Sequence, residues 1–115
     1  MKRSSRLSKS NDIDRVRRSG RTYANKFIVV GVLSNQLKEN RIAVIAGRSV
    51  GNAVQRNFAK RRIRSAYMNL KEDIDQGFDL VMIAKKQLLE VDYPLLRSSL
   101  EKLLCNAGLM REKVS

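Results

Sequence analysis

The sequence predicts an α+β domain in which helices pack against a mostly antiparallel sheet, and three observations carry that prediction. Apolar, β-branched runs of strand length occur near 26–33, 41–46 and 78–84, and stripes of helical spacing run through 53–71 and 92–107. The two kinds of segment alternate in the order helix, strands, helix, strand, helix. At 115 residues and 43% hydrophobic, the chain has room for one core and not for two of ordinary size.

The first ten residues are basic and serine-rich and read as a flexible arm, 1–10, ahead of a single domain, 11–108, and a tail, 109–115. Asn11 or Asp12 can cap a short helix running to about Arg18, closed by Ser19-Gly20. From Arg21 the run RTYANKFIVVGVL turns β-branched, with Asn25 dividing a short strand from a longer one over 26–33. After a polar, turn-like stretch, RIAVIA over 41–46 resumes as a strand, and the pair reads as an antiparallel hairpin with a long loop.

Gly47 and Gly51 then bracket Arg48-Ser49-Val50, and Asn52 is a natural cap for a helix from Ala53 to about Lys71. Such a helix is about 28 Å long at 1.5 Å per residue. Gly77 introduces the strand FDLVMIA over 78–84. Asp92-Tyr93-Pro94 opens a last helix whose Leu96, Leu100, Leu103, Leu104 and Ala107 form one stripe, ended by Gly108. Cys105, the lone cysteine, lies among these leucines and reads as a small core residue.

Charge is where the composition departs from the ordinary: 24 Lys and Arg oppose 11 Asp and Glu, a formal net charge of +13. A field of that sign draws phosphate backbones. The chain shows no apolar run of membrane-spanning length and no secretory pattern after its basic start, so it reads as a soluble cytoplasmic protein. With no histidine and no grouped carboxylates, neither a protein-held metal nor a protein-borne acid–base pair is expected.

The excess concentrates in GNAVQRNFAKRRIRSAY, residues 51–67. At 100° per residue, Ala59, Ile63, Ala66, Tyr67 and Leu70 share a face that should pack on the sheet. Arg56, Lys60 and Arg64 form an i, i+4, i+8 row beside them, and Asn57 and Arg61 a second, while Arg62 projects elsewhere. A helix made only to be soluble interleaves its signs, but Ala53 to Leu70 holds no acid. The pattern points to nucleic acid, and a helix set between strands fits structured RNA better than a DNA groove.

The run VGNAVQRNFAKRRIRSAY, an Arg-Asn pair, two residues, a basic pair, two residues and another Arg, resembles the signature of the bacterial ribonuclease P protein subunit. SRLSKSNDIDRVRRSGR and FDLVMIAKK resemble further segments of that family, so the likeness covers roughly residues 5–107 in order. It implies an α-β-β-β-α-β-α sandwich, four strands with a left-handed βαβ crossover, against the usual right-handed preference.

The resemblance also implies a function: binding the catalytic RNA of the ribonucleoprotein that cuts the 5′ leader from precursor tRNA, with RNA and bound Mg2+ performing the hydrolysis. Arg56, Asn57, Lys60, Arg61 and Arg64 inherit the RNA contact, with Arg48 and Asn52 in support. A family cleft between the first helix and the sheet receives the leader; Ile13, Arg17, Tyr23 and Phe27 are its candidate residues. Ile13 and Arg17 stand where the family commonly has Phe, Gly31 where an aromatic is frequent, and Phe58 where a basic residue is usual. The rival reading is a ribosomal or other structural RNA-binding protein of similar build.

Overall fold

A computed structural model describes residues 5–111 of the chain. The elements are α1 (Ser10–Ser19), β1 (Arg21–Ala24), β2 (Ile28–Ser34), β3 (Arg41–Ile45), α2 (Ala53–Leu70), β4 (Phe78–Ala84) and α3 (Tyr93–Asn106), with 3-10 turns over Lys71–Asp73 and Lys86–Glu90. The sheet order is β1-β2-β4-β3. β1 and β2 pair antiparallel, as do β2 and β4, whereas β3 runs parallel to β4 through the α2 crossover.

The expected hairpin between 26–33 and 41–46 does not form, because β4 inserts between those strands. Burial explains the choice. β4 carries five buried residues in seven and β2 four in seven, so these are the strands that gain most from having neighbours on both sides. Ile28 opposes Ala84 and Ser34 opposes Phe78, a register that fills the full length of both.

Strand alternation divides the apolar residues between two faces. Ile28, Val30, Val32, Ile42, Leu80, Met82 and Ala84 join the main core under α2 and α3. Ala43 and Val81 meet Val16 and Leu7 on the other face, with Ile13 packed alongside, so α1 covers that side. The result is a sheet between helical layers.

Local chemistry sets the ends of α2 and α3. The Asn52 side chain accepts from the Gln55 backbone N–H, and the Gln55 side chain accepts in return from Asn52 N–H, a complete capping box. Gly51 is required there: its φ is 149°, and a Cβ would lie 2.0 Å from Gln55 Oε1. Asp92 accepts from Leu95 N–H at the start of α3. For α1 the expected Asn11 or Asp12 cap is absent; the helix begins at Ser10, and Lys9 precedes it without a side-chain cap. A Cβ at Gly20 would lie 2.5 Å from Val16 O and 2.6 Å from Val32 O, so only glycine lets the end of α1 close onto β2.

The domain reaches further than 11–108. Leu7 is buried and its N–H donates to Ile42 O, which docks the chain around Arg6 beside the outer edge of β3. Leu109 is buried, and Arg111 N–H donates to Asp73 O, so the domain continues past Gly108. Residues 1–4 and 112–115 of the expected arm and tail lie outside the described residues. Cys105 is exposed rather than buried. One step beyond Leu104 turns the side chain by 100°, off the stripe and into solvent.

Candidate nucleic-acid interface

The floor of α2 is the stripe that the periodicity predicts: Ala59, Ile63, Ala66, Tyr67 and Leu70 are its buried residues. Tyr67 is packed into the core, and that burial pushes its phenol above the usual range, a hydrogen bond with Asn40 offsetting part of the rise. Along one flank, Ser65 Oγ lies 3.0 Å from Tyr93 OH, and Asn69 also donates to that hydroxyl, so α2 is tied to α3. A helix held along its floor and one flank presents its remaining face rigidly.

That face is the basic one. Arg61, Arg64 and Asn57 are exposed, and Arg56 and Lys60 half-buried at the border of the packed stripe. Arg48 and Asn52 are exposed in the approach to the helix, although the Asn52 side chain is already engaged as the cap. Among the described residues, none of Arg48, Arg56, Lys60, Arg61 and Arg64 pairs with a carboxylate. Neighbours at i+4 are about 5–6 Å apart between Cβ atoms, so the three like charges Arg56, Lys60 and Arg64 repel along their row, with Arg61 adding a fourth beside it.

Arg62 is built differently. Its Nη1 donates to the carbonyls of Leu88 and Val91, and its guanidinium lies 5.2 Å from the centroid of the Phe58 ring. This arginine closes the turn ahead of α3 and stands apart from the ridge, as the wheel predicts.

The sheet face under α1 carries two grooves. One, of about 270 Å³, runs between the docked N-terminal segment, β3 and α2, lined by Arg6, Ser8, Ile13, Val44, Ile45 and Arg64 among others. A second, of about 190 Å³, is lined by Arg17, Thr22, Val29, Gly31, Val81 and Ile83. Ile13 and Arg17 therefore face the sheet side expected for the cleft. Tyr23 and Phe27 do not: both pack against the main core on the opposite face, Tyr23 being the register partner of Val30. A single step along a strand changes faces, and the parity of β1 is fixed by pairing that the sequence alone leaves open. Thr22, Val29, Val81 and Ile83 take the cleft positions instead. Gly31 is also constrained, since a Cβ there would meet Val16 Cγ1 at 3.2 Å.

Ion pairs between side chains fasten α1 to the sheet. Asp79 is buried, and Arg41 grips it with two bonds, Nε to Oδ1 at 2.9 Å and Nη2 to Oδ2 at 2.7 Å; Asn35 Nδ2 adds a third at 2.9 Å. Arg15 and Asp12 of α1 complete the cluster, with Arg15–Asp12 at 3.3 Å and Arg41–Asp12 at 3.7 Å. The hydrogen bond to Asp79 is the main cause that raises the Arg41 pKa further. Among the described residues there is no group of three or more His, Cys, Asp or Glu side chains arranged to hold a metal ion, and no helix long and apolar enough to cross a membrane.

A rigid cationic ridge on a helix laid across a mixed sheet, beside grooves on the reverse face, defines an RNA-binding α+β protein. The ribonuclease P family model matches residues 1–108, and the chain belongs to that family. It is 35% identical over 108 residues to the ribonuclease P protein component of Caldanaerobacter subterraneus, covering 94% of this chain and 93% of that one. With the Bacillus cereus protein component it shares 37% over 116 residues, covering 100% and 98%. Among solved structures it is similar to the Staphylococcus aureus RNase P protein, with a TM-score of 0.83 and 29% identity over 93% of this chain and 98% of the other. The Thermotoga maritima RNase P protein gives a TM-score of 0.81 at 30% identity, covering 88% and 96%. The family's role is that of the protein component in a ribonucleoprotein endoribonuclease that matures tRNA 5′ ends.

Proposed function

We propose that the α2 ridge binds the catalytic RNA of ribonuclease P and that the grooves under α1 receive the single-stranded 5′ leader of precursor tRNA. The observation that carries this is the group Arg56, Lys60, Arg61 and Arg64 on two adjoining rows of α2, rigidly mounted and without a carboxylate partner among the described residues. Cations held close together in water are costly unless an anion arrives, and releasing counterions from RNA phosphates supplies the driving force. Arg64 lines the first groove while belonging to the ridge, so one side chain borders both surfaces. The protein then works as a charged adaptor where catalytic RNA and substrate, two polyanions, must approach.

The groove walls contributed by Val29, Val81 and Ile83 offer no aromatic face for stacking, so the leader is held chiefly by Arg17 and the surrounding field. In this reading Mg2+ stays with RNA phosphates in the holoenzyme, and the work is done in the cytoplasm, where tRNA is matured.

Isolation of the protein from cells under stringent washing, followed by sequencing of the RNA that remains, tests the partner. Ribonuclease P RNA is expected, and a ribosomal RNA would reject the proposal in favour of a ribosomal role. For the grooves, Arg17→Ala should weaken binding of a precursor tRNA with a leader and leave a leaderless tRNA unaffected. Equal loss for both would remove the leader from this site.

A further inference from the structure

Phe58 is the residue whose placement neither the core nor the ridge accounts for. It sits on α2 away from the buried stripe and is 38% exposed, with Val54 one turn earlier 76% exposed. Met68, further along α2, is exposed as well, but Val54 and Phe58 stand one turn apart beside the basic face, so the ring adjoins the cations. The ring is not loose. Arg62 lies over it at 5.2 Å, and the same guanidinium is anchored to the carbonyls of Leu88 and Val91.

We propose that Phe58, backed by Arg62, is a stacking platform for one unpaired base of the RNA gripped by the ridge; this rests on the ridge reading above. Phe58 and Arg61 are i, i+3 neighbours, about 5–6 Å apart at Cβ, the separation at which one nucleotide can lay its base on the ring and its phosphate against the guanidinium. Arg61 and Asn57 beside it are both exposed. A guanidinium fixed behind the ring holds its orientation before RNA arrives, so little side-chain freedom is lost on binding. The charge of the surroundings selects the occupant: no acid lies between Ala53 and Leu70, so a nucleotide is favoured over an apolar segment of another protein.

The chain has no tryptophan, so Phe58→Trp installs a single fluorescent reporter at the platform. Titration with transcribed ribonuclease P RNA should quench that emission as a base stacks on it. Phe58→Leu, which keeps apolar cover over Arg62 but has no ring, should lose about fivefold or more in affinity, the range for one base on one aromatic. Its log–log salt slope should stay unchanged, since no phosphate contact is removed, whereas Arg61→Ala should flatten the slope by about one contact. Phe58→Tyr should bind like the parent protein. Unaltered tryptophan emission at saturating RNA, or a Phe58→Leu variant with full affinity, overturns the platform. Weakening by Arg61→Ala alone overturns the platform and leaves the ridge standing, while no weakening in either variant overturns both.

Discussion

The same side chain is treated in opposite ways at two places in this molecule. Around Asp79, Arg41 and Arg15 share two carboxylates, and Arg41 meets the buried one with a two-pronged grip. Along α2, arginines and a lysine at helical spacing have no carboxylate partner among the described residues. An arginine already satisfied within the fold has little left to offer an outside anion, so the first cluster is structural, whereas the second keeps its donors available to one. Arg62 lies on the ridge helix yet belongs to the first kind, since its donors are spent on backbone carbonyls.

Asp79 is the residue on which the satisfied arginines depend most. Asp79→Ala takes the carboxylate acceptor from Arg41 and Asn35, leaving Arg41 with Asp12 alone and Asn35 with Glu39 O, and should cost about 2 kcal/mol of stability by urea denaturation, the scale for hydrogen bonds to a charged group. A loss no larger than that of an exposed carboxylate would show the cluster to be ornamental.

Next in size is the ridge itself. Arg61→Ala and Arg64→Ala should each weaken RNA binding about tenfold, roughly 1.4 kcal/mol, with unfolding curves unmoved. Arg62→Ala should do the reverse, costing stability more than affinity. Equal affinity losses in all three variants at one salt concentration would abolish the distinction between the two kinds of arginine.

A smaller effect tests whether the ridge depends on how its helix is begun. Asn52→Ala removes one half of the capping box and should lower stability by about 1 kcal/mol, readable as a shifted thermal midpoint. The smallest concerns an uncharged group. Because Tyr67 holds its proton more tightly when folded, its contribution is intact below the ordinary phenol value of about 10 and is lost as pH rises through the higher folded value. Stability measured from pH 9 to 11 should therefore fall, and Tyr67→Phe should flatten that decline; an unchanged profile would assign it to other groups.

What could be read from the chain beforehand follows the reach of the interactions involved. Asn52, Asp92 and the five-residue stripe of α2 are legible because caps and helical faces are decided within a few residues. The strand 78–84 is legible from its apolar run and the glycine before it. The neighbours of each strand are not, since β4 displaces β3 from β2 only once burial over the whole sheet is counted. Tyr23 and Phe27 are misplaced for that reason: their face depends on a register set by distant partners. The cluster at Asp79 joins residues from α1, β3, β4 and the loop after β2, and no local spacing announces it.

The parallel pairing of β3 with β4 also imposes an order of events on a chain leaving the ribosome. The arginine-rich segment emerges before the strand that must slot into the middle of the sheet, and α3 follows later still. Until Phe78–Ala84 has arrived, the segment has only a partial platform beneath it, and its cations are not yet arrayed as a set. Synthesis therefore delivers the charges first and their alignment afterwards.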